Sequence, residues 1–389
     1  MHLLLLLAFA SQALSLNLTL PNPIGPSLVG RTSIELLDTS RLDPLAPDVR
    51  YRDLMLSIFY PIQHTRRYHL APAFVPAYAT YLETSLGLSS NITLTVTSAA
   101  YANAYLHPNS NSTSTSQPNI LLFSPGHGNS YQDYTATLTN LASQGYIVVG
   151  VDHPFDTSFI LYPDNRTAIA TNSSTDTAAG AARTVDIRVA DLRAVLDFLG
   201  TNATFAKQIP GVHGTLDVSS VGVFGHSLGG AASASAMATD ARFACGSNLD
   251  GTFWGSVVGT GVERPFFLMS SAVHNQSNDD SWKWFWGNST GEKLEVGIEG
   301  SVHATFTDFA VLYDDVVAAG GSVPGVAGTL GTIQGARMLE VVGEFAGAWF
   351  DGCLQGKREV VLDGPSEAWP EVEFWDLGRM NEGLIETPN

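Results

Sequence analysis

Apolar runs of strand length alternate with helical patterns through most of the chain, and this alternation constrains the fold more than any other feature. The runs are NILLFSPG (Asn119–Gly126), YIVVGVDH (Tyr146–His153), VSSVGVFGHS (Val218–Ser227), RFACGSNLDG (Arg242–Gly251), RPFFLMSS (Arg264–Ser271) and EKLEVGIEG (Glu292–Gly300). Helical patterns lie between and after them, at YQDYTATLTNLASQG, VDIRVADLRAVLDFL, LGGAASASAMATD, HATFTDFAVLYDDVVAAG and ARMLEVVGEFAGAWFDG. In the second of these, Ile187, Leu192, Val195, Leu196 and Leu199 share an apolar stripe, with Asp191, Arg193 and Asp197 off it. Strands that are apolar throughout must be covered on both faces, so the expected class is α/β: a mostly parallel sheet between two helical layers. RTSIELLD and DLMLSIFYP, earlier in the chain, are expected as antiparallel edge strands.

With 389 residues, 44% of them hydrophobic and 14% charged, the chain is a packed globule. A single domain is expected over 16–389, with a flexible Ser/Asn/Thr-rich loop at 107–119 and an acidic tail at 354–389. The balance of 19 basic against 37 acidic residues, a net charge of −18, repels phosphate backbones and argues against nucleic acid as a partner.

The start, MHLLLLLAFASQALS, is an apolar run too short to span a bilayer, followed by small residues, and reads as a signal peptide over 1–15. N-x-[ST] sequons stand at Asn17, Asn91, Asn111, Asn165, Asn172, Asn202, Asn275 and Asn288. Together these predict a secreted, extracellular glycoprotein. The two cysteines, Cys245 and Cys353, are candidates to pair in an oxidising compartment, and neither has metal-site spacing.

The pentapeptide Gly225-His226-Ser227-Leu228-Gly229 acquires meaning from its place. Alone, G-x-S-x-G also describes an ordinary tight turn. Here it joins the end of an apolar strand to a helix of small residues, which makes it a nucleophile elbow of the α/β-hydrolase kind. The turn lifts the Ser227 hydroxyl above the sheet, and the Leu228 backbone N–H becomes half of an oxyanion hole. A serine hydroxyl needs a base. The chain order of this fold is serine, acid, histidine, which makes His303 the expected base and His274 the alternative; His226 is expected to be structural. For the acid, the residues alone leave Asp250, Asp279 and Asp280 open; Asp308 is too close to His303 to orient it. The loop SPGHGNSYQDY offers the second oxyanion donor, the N–H of His127, flanked by Gly126 and Gly128.

FSPGHG, VDHP, GHSLGGA, NLDGTFWG and GSVHATFTDF stand in an order and spacing that resembles the platelet-activating factor acetylhydrolase family, the plasma-type group VII phospholipases A2 of the α/β-hydrolase superfamily. The resemblance runs from about Leu54 to Ala318. It implies Ser227 as nucleophile, His303 as general base and acid, and Asp250 as orienter, Asp250 standing where the family acid follows the strand after the elbow. It implies no metal or organic cofactor, and phospholipids with a short or oxidised sn-2 acyl chain as substrates. Family members carry a bulky apolar residue where this chain has His127, so the pocket rim is expected to differ. Trp282, Trp284, Phe285 and Trp286 in SWKWFWG are expected mainly as packing, with transient lipid-interface contact or an acyl-pocket wall as the other roles. A general secreted carboxylesterase, lipase or polyester hydrolase on the same scaffold is the competing function. A hydrolase fold acting only as a binding module is a further one. Nothing in the sequence fixes an oligomeric state.

Overall fold

The computed structural model describes residues 18–63, 67–86, 93–107, 117–171, 175–319, 326 and 328–376. The expected signal peptide, the core of the 107–119 loop and the sequons at Asn17, Asn91, Asn111 and Asn172 lie outside the described residues.

Two long strands, β1 (Leu28–Leu42) and β2 (Tyr51–Ile62), pair antiparallel and are followed by β3 (Leu70–Pro72), α1 (Pro76–Leu86) and β4 (Thr97–Ala102). The alternation then unfolds in order: β5 (Ile120–Ser124), α2 (Thr135–Ser143), β6 (Ile147–Asp152), the ribbon β7 (Phe159–Leu161) and β8 (Thr167–Ile169), then α3 (Ala178–Thr201) and α4 (Ala203–Ala206). It continues with β9 (Val221–His226), α5 (Leu228–Thr239), β10 (Phe243–Leu249), α6 (Val257–Thr260), β11 (Phe266–Ser271), α7 (Asp280–Asn288) and β12 (Lys293–Ile298). A 3-10 turn (His303–Phe306), α8 (Phe309–Ala318), α9 (Gly335–Gln355) and β13 (Val372–Asp376) close the fold.

Eleven of the thirteen described strands form one sheet in the order β13-β12-β11-β10-β9-β5-β6-β2-β1-β4-β3, and β7 and β8 pair apart from it. From β6 to β12 every neighbouring pair is parallel. Alternate side chains of each strand feed opposite layers. Val149 and Val223 pack with Leu192 and Val195 of α3 and Ala231 of α5. Their sequence neighbours Val148 and Phe224 pack with Leu138 of α2 and Val342 and Phe345 of α9. The Cys245–Cys353 disulfide ties α9 to β10 at the centre of the sheet.

Two placements differ from expectation. β1 and β2 are antiparallel but interior, because β4 returns alongside β1 and β3 takes the edge. Leu54, Leu56 and Ile58 of β2 are accordingly fully buried. The segment expected as an acidic tail supplies the end of α9 and then β13, which pairs antiparallel with β12 at the other edge.

Candidate active site

Ser227 makes the entire connection between β9 and α5. Its backbone sits at φ 55°, ψ −124°, a strained conformation for a residue with a side chain. The turn closes because its neighbours lack side chains: a Cβ on Gly229 would lie 1.9 Å from the Ser124 carbonyl oxygen, and one on Gly225 would lie 2.3 Å from the Gly229 backbone. The Ser227 N–H donates to the Leu249 carbonyl at 2.9 Å, which brings the end of β10 beside the elbow.

Asp250 follows immediately, also at positive φ (56°), with its N–H on the Met269 carbonyl at 2.9 Å. Its buried carboxylate is held from two sides. Oδ1 accepts from the Ser271 N–H at 2.7 Å and lies 3.1 Å from His274 Nδ1. Oδ2 lies 2.6 Å from His303 Nδ1. Burial by itself would raise the Asp250 pKa, but the hydrogen bonds and charge of His274 and His303 outweigh it and hold the carboxyl well below the usual range.

His303 opens the 3-10 turn after β12, and its Nε2 stands 2.9 Å from Ser227 Oγ. The Ser227 hydroxyl thus donates to Nε2 while Nδ1–H donates to Asp250. Half the His303 side chain is open to solvent. His226 braces it from beneath, with the two ring centroids 4.5 Å apart. His226 Nε2–H donates to the His303 carbonyl at 3.0 Å, and Nδ1 accepts from the Tyr134 hydroxyl at 2.8 Å. Burial, aided by the charge of His303, lowers the His226 pKa to about 3, so His226 is a neutral structural bridge.

The loop 125–128 is fixed from α3. Arg188, wholly buried, forks onto Asp156 at 2.6 and 2.8 Å and donates to the Pro125 and Gly126 carbonyls, the latter at 3.3 Å. In a trans peptide the next N–H points opposite the carbonyl, so the His127 N–H is directed away from Arg188. The His127 ring anchors the same loop, with Nδ1 3.0 Å from Asp156 Oδ1. His127, Ser227, Leu228, Trp254, His274 and His303 line one cavity of about 470 Å³.

The structure therefore brings Ser227, His303, Asp250, Leu228 and His127 to one place. Asp280 begins α7, and Asp279 caps that helix and contacts His274 at 2.8 Å, away from His303. Asp308 is buried against the Ala136 N–H at 2.9 Å. Of the tryptophan cluster, Trp282, Phe285 and Trp286 are buried, while Trp284 is 61% exposed. The sequence alone assigns no role to Arg188, Asp156 or Trp254. Asp191, expected off the apolar stripe, is buried against Arg52 and His153 at 2.7 and 2.8 Å. The available signal was helical phase: Arg188 and Asp191 fall on the stripe of Val185, Leu192 and Val195.

A serine elbow at the end of a central strand, in a mostly parallel sheet wrapped by helices, is the scaffold of the α/β-hydrolases, and this chain is of that class. The family model described as platelet-activating factor acetylhydrolase, isoform II, matches residues 13–178 and 196–331. A probable 1-alkyl-2-acetylglycerophosphocholine esterase of Arthroderma benhamiae is 31% identical, over 92% of this chain and 94% of that one. A platelet-activating factor acetylhydrolase of Cavia porcellus is 26% identical, over 52% and 51%. A solved ferulic acid esterase from Streptomyces cinnamoneus superposes with a TM-score of 0.78 at 30% identity, covering 92% of this chain and 100% of its own. The chain belongs to the platelet-activating factor acetylhydrolase isoform II family and is a carboxylic ester hydrolase.

Proposed function

We propose that this protein is a secreted serine esterase that removes short or oxidised sn-2 acyl groups from glycerophospholipids. The observation that carries the catalytic part is the unbroken line from Ser227 Oγ to His303 at 2.9 Å and from His303 to Asp250 at 2.6 Å. Ser227 attacks the ester carbonyl as His303 takes its proton. The N–H groups of Leu228 and His127 face the developing oxyanion, each worth about 2.7–4 kcal/mol. His303 passes the proton to the departing glycerol oxygen, leaving an acyl-enzyme and a lysophospholipid. Water, deprotonated by His303, then releases the acid and restores Ser227. Asp250 holds the imidazole tautomer and stabilises its cation throughout.

The names of the relatives support a phospholipid substrate with a short sn-2 acyl group. Export is supported by the disulfide and by the exposed sequon residues Asn165, Asn202 and Asn288. Trp284 offers one exposed aromatic for transient contact with a lipid interface. The second reading, a general esterase, is favoured by the ferulic acid esterase neighbour and by Trp254 in the cavity wall, a surface suited to an aromatic acid.

The test compares sn-2 release from 2-acetyl and long-chain 2-acyl phosphatidylcholine with hydrolysis of a hydroxycinnamate ester, in EDTA, with Ser227→Ala as the blank. Fast acetyl release with the long chain untouched supports the phospholipid reading. Cleavage of the hydroxycinnamate ester with neither phospholipid touched replaces it with the second.

A further inference from the structure

Asp250 has a second imidazole that the mechanism above does not use. His274 lies 3.1 Å from Asp250 Oδ1 through Nδ1 and 2.8 Å from Asp279 Oδ2 through Nε2. An ionised carboxylate only accepts hydrogen bonds, so an imidazole that satisfies two of them must carry both protons. Asp279 is in turn immobile: it caps α7, taking the N–H and hydroxyl of Ser281 at 2.8 and 2.6 Å on Oδ1 and the Thr252 hydroxyl at 2.7 Å on Oδ2. Trp282 of the same helix completes the seat. Its ring lies 4.3 Å from the His274 ring, and its Nε1–H donates to the Gly251 carbonyl at 2.7 Å.

We propose that His274 is a positioning residue for ester hydrolysis: an imidazolium clamped between Asp250 and Asp279 that fixes the Asp250 carboxylate with Oδ2 turned to His303. The proposal rests on the Ser227–His303–Asp250 mechanism stated above. It extends the line by two groups, giving Ser227–His303–Asp250–His274–Asp279. The charged groups facing His274 are Asp250 after β10, Asp279 before α7 and, at longer range, Glu295 on β12, with His303 across Asp250. Burial opposes the charge on His274, but the hydrogen bonds and charge of the two aspartates prevail and raise its pKa to about 9. His274 is therefore charged below that value. As pH rises through it, one of its two bonds to carboxylate is lost, the cluster gains negative charge and Asp250 is no longer held from both sides.

The experiment is the pH profile of kcat and KM for the 2-acetyl phosphatidylcholine, corrected for spontaneous hydrolysis, in wild type, His274→Gln and Asp279→Asn. Wild-type kcat is expected to fall as pH passes about 9. His274→Gln, which cannot titrate, is expected to lose that alkaline limb and to lower kcat by about ten- to a hundredfold at neutral pH, with KM little changed, the factor that a hydrogen bond between charged groups commands. Asp279→Asn removes one of the two carboxylates that raise the His274 pKa, so its alkaline limb is expected at lower pH. A structural prop alone would not move that limb. Wild type with no alkaline limb, or an Asp279→Asn limb in the wild-type position, overturns the proposal, whether or not His274→Gln folds. Activity surviving in Ser227→Ala would instead remove the mechanism on which it rests.

Discussion

Arg188 lies inside the protein with its guanidinium divided between Asp156 and the carbonyls of the loop that carries His127. Replacing it with methionine would leave the Asp156 charge buried and without its arginine partner. Arg188→Met is expected to lower stability by about 3–5 kcal/mol and to lower kcat as the loop relaxes. Urea unfolding beside steady-state kinetics checks this, and a variant as stable and as active as wild type contradicts it. At this scale the sequence was only partly legible. Ser227 and His303 could be read because the elbow and the strand-then-histidine pattern are local. Asp250, Asp279 and Asp280 could not be separated by residue type or spacing, and only the family resemblance favoured Asp250. What places it is the third dimension: the Leu249 carbonyl bonded to the Ser227 N–H, and the carboxylate between two rings. The roles of Arg188 and His274 depend on partners far away in the chain, and no local pattern encodes those.

The strand–elbow–helix unit from β9 to α5 is where local structure decides the chemistry. Gly229 lies in the first turn of α5 against β5, and the Ser124 carbonyl occupies the space that a methyl group would need. Gly229→Ala must push helix and strand apart, so we expect a loss of about 1–3 kcal/mol together with a much slower reaction of Ser227 toward a phosphonate. Thermal melting and the labelling rate measure both; wild-type values for the two would contradict the close-packed elbow. The parallel core from β6 to β12 was legible because each strand is a mainly apolar run set between helical patterns. β13 was not, because VEFWD is short, partly charged and given its place only by pairing with β12. The interior place of β1 and β2 escaped notice for a related reason: it depends on β4 returning beside β1, a contact between distant segments.

Across the whole molecule, the net charge of −18 and the buried carboxylates set the response to pH. Burial raises the Asp133 pKa to about 6 and holds Asp152 and Asp308 well above their ordinary 3.8. A raised acid lends stability that is complete below 3.8 and lost as pH rises through its folded value. His274 behaves likewise between 6.5 and about 9. Asp250 and Asp279, against the effect of burial, are depressed by their histidine and hydroxyl partners, so their contribution exists above 3.8 and fades as pH falls below it. His226 and His153, depressed by burial, work the other way, their contribution being complete above 6.5 and fading as pH falls; they are two groups against the three raised carboxyls, so stability is expected to peak between about pH 4 and 6. Melting curves from pH 3 to 9 at constant ionic strength test this, and a melting temperature that climbs from pH 5 to 8 would oppose it. The disulfide closes a loop of 108 residues, for which chain entropy predicts about 4–5 kcal/mol; a urea midpoint unchanged by reductant would speak against that value. The central claim, that Ser227 is the nucleophile driven by His303 and Asp250, is tested most directly by treating the protein with an active-site phosphonate and locating the adduct by mass spectrometry. We expect one adduct per chain, on Ser227, absent in Ser227→Ala and formed far more slowly in His303→Ala. An adduct on another residue, or ester hydrolysis that persists in Ser227→Ala, would contradict it.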